Sequence, residues 1–267
     1  MSEQEAASDS ARGEGSAGPG GAPKRSTGGP DRRRTRTLLG ATGVAIAAVV
    51  AVVAVTQLTG TTKPAKGTVH LRGVSTVSKL LKGVPQRDLE LGNPKAPVVV
   101  MEFADFQCPI CAAWARDVLP VVIDRYVRTG KVLLVFQGLH FLDNNFGTTD
   151  SEQLLRLALA AANQGRLWDV IELIYHNQGA EGSRWATPAF LRSIARAVPG
   201  LDAQRALAGR NAPSVNHWIE TADAFATQSG VQGTPSFLFR KGKKQGLYPQ
   251  YADAATFGRL VATLLGQ

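Results

Sequence analysis

Cysteine is nearly absent from this chain: its 267 residues contain two, Cys108 and Cys111, three positions apart in "EFADFQCPIC". A tetrahedral zinc site needs four ligands, and this pair supplies two at most. Histidine is almost as scarce, with His70, His140, His176 and His217 far apart in sequence and forming no paired ligand motif. No metal or other cofactor is therefore expected. The pair is also a weak brace, because closing a four-residue loop removes only roughly 2 kcal/mol of unfolded-chain entropy. It suits a redox switch better. At the junction of a strand and a helix, Cys108 would sit at a helix N-terminus whose N–H groups favour a thiolate, and Cys111 one turn further in could attack a mixed disulfide formed at Cys108.

Other absences organise the rest. Residues 1–36 contain no Leu, Ile, Val or aromatic residue. Built from Gly, Ser, Ala, Pro and charge, they cannot bury a core that offsets their ordering entropy, so a disordered cytoplasmic tail is expected. Charge is missing from residues 38–55, "LLGATGVAIAAVVAVVAV". As a helix this run would reach roughly 27 Å, close to the hydrocarbon thickness of a bilayer. A transmembrane helix over residues 37–59 follows. Arg32, Arg33, Arg34 and Arg36 precede it, whereas Lys63 and Lys66 follow among Thr and Gly. The positive-inside rule puts the N-terminus in the cytoplasm, which predicts a single-pass protein of the cell membrane with its C-terminal part outside. A buried helix of a soluble core would show an amphipathic face, which this run lacks. A cleaved signal peptide shares the basic and apolar regions, but "TQLTG" after residue 55 lacks a good A-x-A cleavage pattern. Anchor and leader alike deliver the remainder outside the cytoplasm.

The net charge is +9, of which the tail through Arg36 holds +2. The remainder is scattered, with no basic stripe interleaved with aromatics, so nucleic acid is not an expected partner. No internal repeat or second core is visible. Residues 60–85 read as a juxtamembrane linker with a short helix in "VSKLLKG", and residues 86–267 as a single domain. "APVVVMEFADF" predicts a buried strand over 98–103 that ends at the cysteines. "AAWARDVLPVVIDRYVRTG" predicts a helix kinked by Pro120, and "KVLLVFQ" a second strand, which implies a parallel crossover. Helices follow in "SEQLLRLALAAANQ", capped by Asp150, in "RLWDVIELIYHN", in "AFLRSIARAV", opened by Thr187 and Pro188, and in "SVNHWIETADAFATQSG". "GTPSFLFRKGKKQGLYP" then predicts a hairpin, and Asp253 caps a last amphipathic helix. The order is that of a thioredoxin core of α/β class with a helical insertion over about 140–230.

Here the residues meet a known family. "LGNPKAPVVVMEFADFQCPIC", with "GTPSF" some way downstream and a helical block between, resembles the DsbA-like thiol:disulfide oxidoreductases of the thioredoxin superfamily, in their membrane-anchored or exported bacterial forms. The resemblance covers roughly residues 84–266 and leaves the tail and the apolar run aside. It implies that Cys108 is the exposed nucleophile and Cys111 the buried resolving cysteine. It makes Pro235 the cis-proline facing the disulfide, with Thr234 before it pairing with an extended substrate strand; without the resemblance Pro235 reads rather as an ordinary strand-start proline. Glu102 falls where the superfamily often places a buried acid able to relay a proton. Its apolar neighbours Met101 and Phe103 send it to the opposite face of the strand, the alternative being a glutamate facing solvent. Pro109, Ile110, Phe106 and Gln107 are expected to line the approach to the disulfide. Strong oxidases of the family carry histidine between their cysteines. With isoleucine there instead, thiolate stabilisation at Cys108 is expected to rest mainly on helix-end amides, within the ~3.5–7.5 range of such sites.

The resemblance implies an extracytoplasmic dithiol oxidase acting on exported protein thiols in extended peptides. It also implies reoxidation by a quinone-linked membrane protein, DsbB-like or vitamin K epoxide reductase-like. A monomer is expected, and residues 63–97 are too few for the separate dimerisation domain that the family's isomerases usually carry, which counts against an isomerase. An envelope reductase or isomerase, and a tethered chaperone or binding module without redox turnover, stay open as alternatives.

Overall fold

The computed structural model describes residues 69–267. The expected tail, transmembrane helix and first linker residues, through residue 68, lie outside the described residues. Among those described, no helix is long and apolar enough to cross a membrane.

Two strands carry the site. β3, Val98–Asp105, and β4, Val132–Leu139, pair in parallel from Val98 opposite Val132 to Asp105 opposite Leu139. Parallel neighbours need a crossover on one face of the sheet. It is supplied by α2, Pro109–Asp117, and α3, Leu119–Val122, which continues into a π-helical turn, Ile123–Val127. The helix expected to kink at Pro120 instead breaks at Val118. Pro120 has no N–H to offer the carbonyl of Arg116, so the chain restarts with proline in the first turn of a new segment.

Among the described residues the sheet has six strands, with β4 and β3 side by side at its centre. Its far edge is the expected hairpin of β5, Ser236–Lys241, and β6, Lys244–Tyr248, whose two-residue turn has Gly242 at φ 57. The opposite edge, β1 (Gln86–Arg87) and β2 (Glu90–Leu91), was not expected, since two-residue strands carry no alternation signal. The linker boundary is corrected as well. Helix α1, Val74–Leu81, buries Val77 and Leu81 in the main core, and Val84 follows them. The folded body therefore begins well before residue 86, because these side chains complete the core.

Between β4 and β5 runs the helical insertion: α4 (Leu142–Phe146), α5 (Asp150–Ala162), α6 (Leu167–His176), α7 (Pro188–Ala197), α8 (Ala203–Ala208) and α9 (Pro213–Gln228). Thr187 caps α7 by accepting from Phe190 N at 3.2 Å. Asp150 does not cap α5; its carboxylate accepts from Trp185 N and Ala186 N and ties the loop before α7 to α5. The last helix, α10 (Ala254–Leu265), is capped by Asp253 as expected. Alternation on β3 separates two cores. Val98, Val100 and Ala104 face the main one under α2 and α6, and Met101 and Phe103 face a smaller one with Ala222 and Ala226 of α9.

Candidate active site

Strand β3 ends at Asp105, and a turn closed by Cys108 N donating to Asp105 O at 3.0 Å brings Cys108 to the N-cap of α2. Pro109 begins the helix, where its missing N–H removes nothing. α2 is seated by its inner face. Trp114 is fully buried, its ring 4.8 Å from that of Phe237, and its indole N–H donates to Ala252 O at 3.0 Å. Burying one such aromatic contributes about 3 kcal/mol, enough to hold the helix against the sheet.

Helix geometry makes the two cysteines unequal. Cys108 keeps 6% of its surface exposed and Cys111 none, so the nucleophile candidate is rimmed rather than open. Both are free thiols. Cys111 N donates to Cys108 Sγ at 3.3 Å, and the Cys108 thiol donates to Thr234 O at 3.3 Å. The Cys108 thiol is drawn down to about 6, chiefly by the hydrogen bond from the Cys111 thiol and against the opposing effect of burial. Thr234 and the N–H groups of Cys111 and Ile110 add to it. Helix-end amides were expected to dominate; the Cys111 thiol leads instead. Burial pushes Cys111 well above its ordinary value, and the hydrogen bond to Cys108 reinforces the rise. Two thiols one turn apart thus differ in the sense that a nucleophile and its resolving partner require.

Pro235 follows a cis peptide bond from Thr234, and its neighbour's carbonyl is the one that meets Cys108. Pro109 and Ile110 are exposed beside it, Ile110 by 49%. A groove of about 340 Å³ is lined in part by Phe141, Val231, Gln232 and Gly233, the last of these next to Thr234 in sequence.

Two expected approach residues lie elsewhere. Phe106 is fully buried, stacked 5.2 Å from Tyr175 and 5.9 Å from Phe136. Gln107 is fully buried too, donating to Asp143 Oδ1 at 2.8 Å and Thr148 Oγ1 at 3.0 Å, while its own Oε1 accepts from Gly182 N. The turn after Asp105 directs both inward, so neither lines the approach. With Asp105 and Ser151 they tie the start of α2 to the insertion. Burial pushes the Asp105 carboxyl up to about 6.

Glu102 is buried, not solvent-facing, between cross-strand neighbours Phe136 and Phe237. Burial pushes its carboxyl up to about 8. Three insertion residues that sequence reasoning passed over belong to the site. Glu172 of α6 is fully buried and held well above the ordinary carboxyl range by burial. Tyr175 donates its hydroxyl to Asp105 O at 3.3 Å. Gln178 donates to Phe106 O at 2.8 Å and to Cys108 O at 3.0 Å, clamping the turn that carries the nucleophile.

A family model described as Thioredoxin matches residues 86–250, more than half of the chain. The chain belongs to the thioredoxin family. This thioredoxin-family chain is similar to the probable disulfide bond formation protein D of Bacillus cereus, 31% identical over 149 residues that cover 55% of it and 67% of that relative. Among solved structures, a thioredoxin-like oxidoreductase from Silicibacter pomeroyi is 27% identical, with a TM-score of 0.53 over 67% of this chain and 92% of that one. BdbD of Bacillus subtilis, in its oxidised form, has a TM-score of 0.59 over 69% of this chain and 98% of its own at 19% identity, a likeness of fold alone. The chain is a DsbA-like thiol-disulfide oxidoreductase.

Proposed function

We propose that this oxidoreductase is a dithiol oxidase that donates its Cys108–Cys111 disulfide to exported proteins. The observation that carries the reading is the asymmetry of the pair: stabilising the Cys108 thiolate favours the reduced enzyme, and a disulfide whose reduced form is stabilised is oxidising. A substrate thiolate attacks Cys108 Sγ, the Cys108–Cys111 bond breaks, and the Cys111 sulfur leaves and takes a proton. A second substrate thiolate then displaces Cys108, the substrate disulfide forms, and the enzyme departs with two electrons. Thr234 and Pro235 present backbone for an extended substrate strand, with Pro109 and Ile110 on the exposed side. Glu102, buried on the face of β3 beneath α2, serves as the proton relay for Cys111.

Location and recycling rest on the sequence. The apolar run over residues 37–59 and the arginines before it support a single-pass anchor with this domain outside the cytoplasm. A dithiol product in that compartment needs an electron acceptor, for which a quinone-linked membrane protein of DsbB-like or vitamin K epoxide reductase-like type is the proposed partner. One observation favours a reductase instead: a Cys108 value of about 6 lies nearer the ~7 of thioredoxin than the ~3.5 of a strong oxidase. The full chain is equilibrated against glutathione, with Cys108→Ser as blank. A potential near about −120 to −180 mV supports oxidation, one near about −270 mV replaces it with reduction, and a wild type that does not cycle removes both.

A further inference from the structure

The end of the sheet that carries Cys108 also carries the groove of about 340 Å³, which the thiol chemistry leaves unused. Leu139 stands opposite Asp105 in register, so His140 and Phe141 leave β4 at that end. Helix α9 contributes Asp223 and Ala226 to the groove, and Val231, Gln232 and Gly233 lead from it directly into Thr234. Thr234 O in turn meets the Cys108 thiol at 3.3 Å. Nothing lies within 4 Å of the point that a Cβ on Gly233 would occupy, so the backbone between Thr234 and the groove is open to an incoming chain. Consecutive residues are about 3.8 Å apart, and a strand paired at Thr234 therefore comes alongside the groove within one or two residues.

Two kinds of surface line it. Leu139, Ala226 and Val231 pack in the smaller core, and Phe141 is 36% exposed, which makes one part apolar. The other part is a charge pair, His140 Nε2 lying 3.5 Å from Asp223 Oδ2, with side chains 31% and 50% exposed. That separation is long for a hydrogen bond, and the pair is neutral overall only while the imidazole is protonated. The contact with Asp223 raises the titration of His140 above its ordinary value, burial opposes it, and the charges of Asp223, Glu152 of α5 and Asp143 of α4 add to the rise. Glu152 is itself paired with Arg156 at 2.8 Å, and Asp143 is buried and accepts from Gln107 and Ser151. Asp223 is thus the exposed acid, and once His140 is neutral it leaves a negative charge beside an apolar trough. An aliphatic stem that ends in a cation matches both parts.

We propose that this groove is a substrate subsite for a basic side chain, lysine or arginine, close to the substrate cysteine, with its stem over Phe141 and Val231 and its cation on Asp223. This rests on the reading above in which a substrate strand pairs with Thr234 while its thiol exchanges with Cys108. The cation and the His140 proton compete for the same carboxylate, so each weakens the binding of the other by the same factor. The preference for a basic substrate is therefore small in acid, where His140 is protonated, and full above the titration of His140.

The test traps the complex. Full chain carrying Cys111→Ala, in which a mixed disulfide at Cys108 persists, is treated with peptides whose one cysteine is activated as a 2-thiopyridyl disulfide. The Cys108 thiolate attacks the peptide sulfur, thiopyridone leaves, and the peptide stays joined. The peptides carry lysine, norleucine or glutamate at each of three positions on either side of the cysteine, and the His140 imidazole, assigned through His140→Gln, is titrated by NMR in each complex. At one or two positions lysine is expected to lower the His140 midpoint by about half a pH unit relative to norleucine, and glutamate to raise it. Asp223→Asn is expected to abolish the difference. In the oxidised wild-type chain, the matching free-thiol lysine peptide is expected to reduce the disulfide about two- to fivefold faster than the norleucine peptide near pH 8.5, with the advantage shrinking toward one near pH 5.5. Equal His140 midpoints in the lysine and norleucine complexes at every position overturn the inference, and so does a lysine advantage that Asp223→Asn retains. Trapping needs a reactive Cys108 thiol but no turnover. Shifted midpoints in a chain whose wild type does not exchange would therefore fault the redox reading and leave the subsite standing.

Discussion

Removing the Cys111 thiol tests whether one side chain sets the reactivity of the other. In Cys111→Ala the N–H groups of Ile110 and residue 111 remain, and so does Thr234, while the leading hydrogen bond to the Cys108 sulfur is lost. A hydrogen bond to a charged group is worth about 1.5–3 kcal/mol, or about one to two pH units. Cys108 should therefore titrate at roughly 7–8 instead of about 6. Near pH 7 the thiolate fraction would fall from about nine-tenths to between roughly a half and a tenth. Ultraviolet absorbance of the thiolate against pH reads the midpoint, and the iodoacetamide rate near pH 6 should fall with the thiolate fraction, by about five- to fiftyfold. Cys111→Ser, which keeps an O–H donor, should lie between. An alanine variant still titrating at about 6 would refute the reasoning and return the stabilisation to the helix-end amides.

The same titration should appear in the reduction potential of the wild type, whose slope against pH should change from about −60 to about −30 mV per unit near pH 6, because one fewer proton accompanies the two electrons once Cys108 stays ionised. A single straight line through that region would count against the lowered thiol. Glu102 affects stability in the opposite sense. Its folded value of about 8 lies above the ordinary 4.5, so its contribution is full below about pH 4.5 and is lost as pH rises toward 8. Thermal unfolding of Glu102→Leu across pH should show the variant gaining about 3 kcal/mol on wild type between pH 4 and 7, and parallel curves would show that Glu102 titrates normally. Gly138→Ala places a methyl group against Leu155 and Phe136 and should destabilise by about 1–3 kcal/mol in denaturant titration. Gln178→Ala frees the carbonyls of Phe106 and Cys108, and faster amide exchange at Cys108 and Cys111 should follow while exchange in β3 stays unchanged.

What the sequence made legible was local in origin. The Val-rich run of β3, the Thr187–Pro188 start of α7, the Gly242 turn and the Asp253 cap each depend on neighbours within a few residues. Phe106 and Gln107 were misplaced because their directions are set by partners 30 to 75 positions away, which no spacing rule reaches. Proximity to the cysteines in sequence stood in for proximity in space. Glu172 had a readable signal. It lies in "LWDVIELIY", which is apolar around its whole circumference and buried throughout. An acid inside such a segment must be neutral or paired, whichever face it occupies.

The disposition of these groups bears on how a mixed disulfide at Cys108 is resolved. Two nucleophiles compete for it, Cys111 from inside and a second substrate thiol from solvent. Cys111 is a protonated thiol under all ordinary conditions, so it competes only when a base accepts its proton as it attacks. The base proposed above, Glu102, is itself protonated near neutrality, with a value of about 8, and Glu172 is held well above the ordinary range. At pH 7 only about a tenth of Glu102 is available as base. Escape through Cys111 is slowed by that factor while the attack from solvent is not, and the mixed disulfide is biased toward a completed substrate disulfide. In the oxidase proposed above, the burial that raises Glu102 would thus favour the completed substrate disulfide, and raising the pH through about 8 should remove the bias.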